Sequence, residues 1–195
     1  MDSNGGIPIV LFAVLLTIYY ETLQPSVPGG DAGELITEAY QLGLPHPPGY
    51  PLHTLLGYAF SHSPFWSSIG SAARDINFLS SVCSAITGTT IYCIVMLLNK
   101  KNSTTQKESK SLSETVEWKC RIHLKKTHTS RPNWQLFLFS SAGSGTAALH
   151  LVHICCGVLS GLSFCLSPLV WTYSVTGEVF ALNNMFSSII LYIVF

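Results

Sequence analysis

Side chains with chemical potential gather in three short segments of this chain. The first is Gly29-Gly30-Asp31-Ala32-Gly33-Glu34, followed by Leu35, Ile36, Glu38 and Ala39. Asp31 stands where a helix N-cap would, and Glu34, three residues on, completes the pattern of a capping box. Chemistry would use more of the pattern than a cap does. The glycines around Asp31 let backbone or ligand approach closely, and carboxylates at i and i+3 on a helix start lie near one face. A partly desolvated carboxylate at a membrane surface has a raised pKa and can act as a general base. Asp31 and Glu34 are therefore the candidate catalytic residues, and a capping role is compatible with that.

The second segment is Pro45-His46-Pro47-Pro48-Gly49-Tyr50-Pro51. Its prolines predict an extended, pre-ordered path. Such a path is either a rigid connector or a means of holding His46 and Tyr50 against the carboxylate loop. A His-Asp-Glu metal site ranks low because the spacing is not diagnostic, so no metal is expected. The third segment runs over residues 171–184, with Trp171, Tyr173, Glu178, Phe180, Asn183 and Asn184. Aromatics at a span end usually form an interfacial belt. Glu178, an acid among apolar neighbours, is a functional candidate, or else a surface carboxylate capping the next helix. Neither a P-loop, a Gly-x-Ser-x-Gly elbow nor a His-Glu-x-x-His motif is present.

The elements that must position these residues belong to a membrane protein. Of 195 residues, 48% are apolar and only 10% charged, against about 25% charged in ordinary soluble domains. Lys+Arg and Asp+Glu both total 10, which leaves no surplus for nucleic acid. All the basic residues except Arg74 lie between Lys100 and Arg131. Spans are expected at about 7–23, 76–98 and 152–170, with the start of a fourth at about 186–195. Two short spans between 135 and 170 are the alternative to one. The first is read as an uncleaved anchor rather than a signal peptide, since no Lys or Arg precedes it and no small-x-small site follows.

Residues 99–134 read as a polar, basic, flexible loop, cytoplasmic under the positive-inside rule. That choice places the 24–75 loop, and Asp31, on the luminal side. Within it, 52–65 is too short to span and suits the interface or a re-entrant segment. The six cysteines show no disulfide framework and read as small residues buried in helices. The chain stops inside an apolar run, which reads as the amino-terminal part of something longer. The fold class expected is an all-α polytopic membrane protein.

Residues 25–35 (Pro25-Ser26-Val27-Pro28-Gly29-Gly30-Asp31-Ala32-Gly33-Glu34-Leu35) and His46-Pro47-Pro48-Gly49-Tyr50-Pro51 resemble the transmembrane O-mannosyltransferase family that modifies plexin-type immunoglobulin-like (IPT) domains. Arg74 with Asn77-Phe78-Leu79 resembles the start of that family's next helix, and Trp171, Glu178-Val179-Phe180 and Leu182-Asn183-Asn184 a further block. The resemblance implies GT-C-like transmembrane helices and a multi-pass enzyme of the endoplasmic reticulum membrane. It implies a polyisoprenyl-phosphate sugar donor, dolichyl phosphate mannose, and protein acceptor substrates, with no other cofactor. It makes Asp31 the candidate base with Glu34 beside it, and His46, Tyr50, Glu178 and Asn183 candidate substrate-binding residues. Residues 99–150 are a longer connection than the family has there. Two rivals remain open on the residues alone. One is a transporter or channel subunit whose acids bind a cation or proton; the other is a non-catalytic membrane scaffold.

Overall fold

The computed structural model describes residues 5–63, 71–124 and 145–195; side chains are described for all of these except 107, 110, 113–124, 145 and 146. Among the described residues every regular element is a helix. The helices are α1 (Gly6–Glu21), α2 (Ala32–Gln41), α3 (Pro51–Ser61), α4 (Ala72–Leu124), α5 (Gly145–Cys165), α6 (Pro168–Ser174) and α7 (Val179–Val194). The chain is an all-α membrane protein: α4 over Ala72–Gln106 and α5 over Ala147–Cys165 are long and apolar enough to cross a bilayer. A third crossing is added if α6 and α7, bent by 109° at their junction, count as one broken span.

Two compact units divide the chain, one of Met1–Ile94 with Gly157–Phe195 and one of Val95–Cys156. The first holds every candidate site residue. In it α1 is apolar all round, burying Leu11, Leu15 and Tyr19 along one stripe and exposing Ile9, Val10 and Val14. Its 16 residues reach about 24 Å at 1.5 Å each, short of a ~30 Å hydrocarbon core.

The expected loop at 24–75 contains a helical hairpin. Gly30, at φ +75°, turns the chain into α2, a conformation open to glycine at no steric cost. Ala32, Leu35, Ile36 and Ala39 then form the buried stripe of an amphipathic helix. Leu42 in the left-handed region ends it, and the Gly43 amide donates to the Glu38 carbonyl at 2.8 Å. Pro51 opens α3 at its first position. Gly57 lets α3 approach α2: a Cβ there would lie 2.8 Å from the Ala39 methyl. One turn earlier His53, 3% exposed, has neither ring nitrogen partnered. Its burial lowers the imidazole pKa to about 4, so it sits there neutral.

Small residues set the crossings of α1, α4 and α5. A Cβ on Gly161 would meet the Gly88 carbonyl at 2.6 Å, and one on Gly157 the Tyr92 ring at 2.8 Å. Gly157 and Gly161 form a G-x-x-x-G stripe, the pattern that lets membrane helices touch through backbone. The Tyr19 hydroxyl donates to the Cys165 carbonyl at 2.9 Å and closes the same corner.

Three expectations change. The segment read as a loop from residue 99 is helical as far as Leu124. Lys, Glu and Gln are good helix formers, and Ser103, Thr104 and Thr105 turn their hydroxyls back to the carbonyls of Asn99, Lys100 and Lys101. The apolar helix placed at 152–170 ends instead at Cys165, because Pro168 cannot continue it. Finally, Cys83 and Cys165 are buried as expected, but Cys155 and Cys156 are exposed on α5. Residues 125–144, which include the start of the alternative two-span segment, lie outside the described residues, as does the 64–70 part of the 24–75 loop.

Candidate functional site

The polar face of the first turns of α4 does the positioning. Asn77 is fully buried, and its side-chain amide donates to the carbonyls of Gln24 (2.8 Å) and Ser26 (3.1 Å). The Ser71 hydroxyl donates to the Pro25 carbonyl at 3.3 Å. These bonds fix the strand of chain that leads into Asp31. One turn on, Ser81 donates to the Ser174 carbonyl at 2.8 Å and Ser80 to the Glu178 carbonyl at 3.4 Å. The same helix thus holds the α6–α7 turn. Each such bond contributes on the order of 1 kcal/mol net, and a buried one left unmade costs more.

Between these anchored segments lies the start of α2. Asp31 occupies the N-cap position but has right-handed helical backbone angles and no side-chain capping bond. Its side chain is exposed. Glu34 does not complete a capping box either. Its Oε1 accepts the His46 backbone amide at 2.6 Å, and its Oε2 pairs with His46 Nδ1 at 3.1 Å. Those two bonds hold the Glu34 carboxyl below the ordinary glutamate range. The local pattern suited a capping box, but the backbone amide 12 residues on is the better partner because its geometry is fixed by the turn that carries it.

That turn replaces the extended path expected from the prolines. The Gly49 amide donates to the His46 carbonyl at 2.9 Å, closing a four-residue turn with Gly49 at φ +89°. Tyr50 follows in the left-handed region at the head of α3, and its ring meets His46 edge-on at 5.5 Å. A turn latched by Glu34 thus holds His46 beside that carboxylate, with Tyr50 against the His46 ring.

Glu178 arrives from 147 residues beyond Asp31. It sits at the N-cap position of α7 without capping it. Glu178 is only 9% exposed. Burial and then the charge of Asp31 hold the Glu178 carboxyl above the ordinary range, while the Ala32 amide and His46 pull it down. The approach depends on Gly177, where a Cβ would lie 2.8 Å from Ile36 Cγ1 and 3.1 Å from Asn77 Oδ1. Sequence reading had no local signal for Gly177, since its neighbours are distant in the chain.

Asp31, Glu34, His46, Tyr50 and Glu178 are therefore one neighbourhood. Asn183 is exposed on α7, with no hydrogen bond to the others. Chemically the cluster offers one uncommitted carboxylate, Asp31, beside an imidazole and a buried acid. Among the described residues no three His, Cys, Asp or Glu side chains are arranged to hold a metal ion.

The family model described as the protein O-mannosyl-transferase TMEM260 N-terminal domain matches residues 31–195, a range that includes all of these side chains. A Dictyostelium discoideum protein named protein O-mannosyl-transferase tmem260 is 35% identical over 185 residues, covering 95% of this chain and 16% of that protein. A Mus musculus protein named protein O-mannosyl-transferase TMEM260 is 28% identical over 184 residues, covering 94% of this chain and 18% of that protein. The chain thus spans less than a fifth of the length of these curated relatives. No solved structure matches it.

Proposed function

Because the chain belongs to the protein O-mannosyl-transferase TMEM260 N-terminal domain family, we propose that it supplies the base-bearing part of a mannosyltransferase that glycosylates Ser or Thr of secretory-pathway proteins. The donor in this reading is dolichyl phosphate mannose, and the site faces the lumen of the endoplasmic reticulum. The observation that carries it is the freedom of Asp31: its carboxylate occupies a capping position yet caps nothing, beside His46 and Glu178.

The acceptor hydroxyl oxygen attacks the anomeric carbon of the lipid-linked mannose. The bond from that carbon to the phosphate oxygen breaks, and dolichyl phosphate leaves with the bonding electrons. The hydroxyl proton passes to Asp31, which must lie within hydrogen-bond reach of the acceptor for this to help. Glu34 acts on His46, holding the turn that carries the imidazole and Tyr50 toward the sugar. Asn183, exposed on α7, is a further substrate contact in this reading.

Asp31→Asn in the full-length protein tests this. The structure gives Asp31 no capping bond to lose, so expression and folding should stay level. Transfer of mannose from a dolichyl-phosphate donor to a purified acceptor domain should fall about a hundredfold or more, since positioned base catalysis contributes roughly 10²–10⁴. Glu34→Gln keeps an acceptor for the His46 amide and should lose less. Near wild-type transfer by Asp31→Asn at equal expression would remove Asp31 from the chemistry.

A further inference from the structure

We propose that α3 is seated in the membrane, with Leu52, Leu55 and Ala59 lying against lipid chains in the leaflet that the Asp31 site faces, while α2 beside it faces water.

The two helices are built in opposite senses. In α2 the buried residues are Ala32, Leu35, Ile36 and Ala39. Asp31 at its head, and Glu34, Thr37 and Tyr40 along it, are exposed. That is the arrangement water imposes on a surface helix. In α3 the order is reversed. Its buried side chains are His53 at 3%, Thr54 at 5% and Ser61 at 6% exposed, with Gly57 between them. Its exposed residues are Pro51, Leu52, Leu55 and Ala59. Leu52, Leu55 and Ala59 follow one another at helical spacing and make one face. The inward hydroxyls are satisfied within the helix: Thr54 donates to the Tyr50 carbonyl and Ser61 to the Tyr58 carbonyl, both at 3.2 Å. A helix that turns its leucines outward and its polar groups inward is stable where the surrounding medium is itself apolar.

The flanking chain agrees. No Asp, Glu, Lys or Arg occurs between Glu38 and Arg74. Leu44, 80% exposed, lies over Gly49 in the turn that precedes α3. At the other end of α3 the rings of Tyr40, His62 and Tyr58 form a stack, with His62 centred 4.7 Å from Tyr40 and 4.0 Å from Tyr58. Aromatic rings with polar tips are at home at the headgroup level.

Depth comes from what α3 packs against. Leu56 and Phe60 rest on the cluster of Leu79, Cys83, Ala181 and Leu182. No charged residue occurs in α4 between Asp75 and Lys100, so its hydrocarbon segment begins near Ile76. Leu79 and Cys83 stand about 5 and 10 Å further along at 1.5 Å per residue. Thus α3 lies beside the membrane-spanning part of α4, not above it. Its 11 residues reach about 16 Å, too short to cross a ~30 Å core, so it stays in one leaflet. Lipid is the occupant of its outer face because lipid already surrounds the helix against which α3 packs. The His46 turn joins α2 to α3, which puts the site on the boundary between water and lipid. A hydroxyl from the aqueous side and a lipid-borne substrate meet there.

The test uses the full-length protein in phosphatidylcholine vesicles, its native cysteines replaced, with a fluorescent thiol label at Leu55→Cys. Leu159→Cys, exposed on α5, is the lipid-facing reference, and Gly29→Cys, exposed with nothing within 4 Å, the aqueous one. Doxyl-labelled phosphatidylcholine should quench the label at position 55 at least about twofold more than at 29, and aqueous iodide at least about threefold less. A doxyl group near the headgroup should act more strongly at 55 than one near the chain end, with the reverse order at 159. Quenching at 55 by iodide and not by doxyl lipid would put α3 in water and overturn the proposal. Quenching by neither would mean that protein covers this face, a second copy or another segment of the chain, and would overturn it equally. Stronger quenching from the chain-end doxyl would place α3 at the bilayer centre and rule out its seat in one leaflet. Should Leu55→Cys not accumulate, Leu52→Cys presents the same face: lipid quenching is expected there too, and iodide quenching would count against the proposal.

Discussion

Glu34 commits both carboxylate oxygens to His46, one to its amide and one to its ring, and that commitment is sensitive to pH. The folded carboxyl is more acidic than an ordinary glutamate. A group with a depressed folded pKa binds its proton more readily in the detached state, so the latch is complete above the ordinary glutamate range. It weakens as pH falls from that range through the lower folded value. Amide exchange at His46 and Gly49 should therefore quicken on acidification across that window. Glu34→Gln should flatten the dependence while keeping some protection at neutral pH. An acid-independent exchange rate in the wild type would show that the turn holds without the carboxylate. The residue types Asp31, Glu34, His46 and Glu178 were all legible in the sequence. What was not legible was who bonds whom: the pattern around Asp31 and Glu34 was that of a capping box, but Asp31 caps nothing and Glu34 bonds the His46 turn, which reaches α2 from further along the chain.

Helix identity was read with mixed success, for physical reasons. The apolar stretches of α1, α4 and α5 were evident, since lipid demands runs of apolar residues with internally satisfied backbone. The hairpin of α2 and α3 was hidden by its glycines and prolines, which mark its turns rather than its absence. The helical extension past residue 99 has no apolar periodicity, so pattern reading had nothing to detect. The small-residue stripe on α5 is where element geometry becomes testable. Gly161→Ala places a methyl 2.6 Å from the Gly88 backbone, which cannot rotate away, so α4 and α5 must separate. Overpacking of this kind costs about 1–3 kcal/mol. Thermal unfolding in detergent should show a lower Tm. Gly157→Ala should be milder, because the atom it meets belongs to the Tyr92 ring. Gly29→Ala, with nothing within 4 Å, is the control and should leave Tm in place. Equal Tm for Gly161→Ala and Gly29→Ala would show that the crossing is looser than its distances imply.

At the scale of the whole molecule, the neighbourhood of Asp31 and Glu178 bears on topology. Segments that pack together, as Gly177 does against Ile36 of α2, belong to one face of the bilayer, which favours an even number of crossings between them. The helices α4 and α5 supply two. Two short spans between residues 135 and 170 would instead put Glu178 opposite Asp31, against the close packing of Gly177 on Ile36 of α2. The proposed side rests on charge: all the basic residues except Arg74 fall from Lys100 to Arg131, and the positive-inside rule would assign that stretch to the cytoplasm. The sequon Asn102-Ser103-Thr104 lies in that stretch and should stay unmodified, but it is a weak reporter because its residues are helical. Cysteine labelling is the sharper experiment. In a background with the native cysteines replaced by alanine or serine, Gly29→Cys and Thr176→Cys should react with an impermeant thiol reagent only from the luminal side of sealed microsomes. Asn102→Cys, exposed on α4, should react only from the cytoplasmic side. Labelling of positions 29 and 176 from opposite sides would break the shared site. Labelling of both from the cytoplasm would keep the site intact but turn it away from the lumen, and with it away from secretory-pathway acceptors.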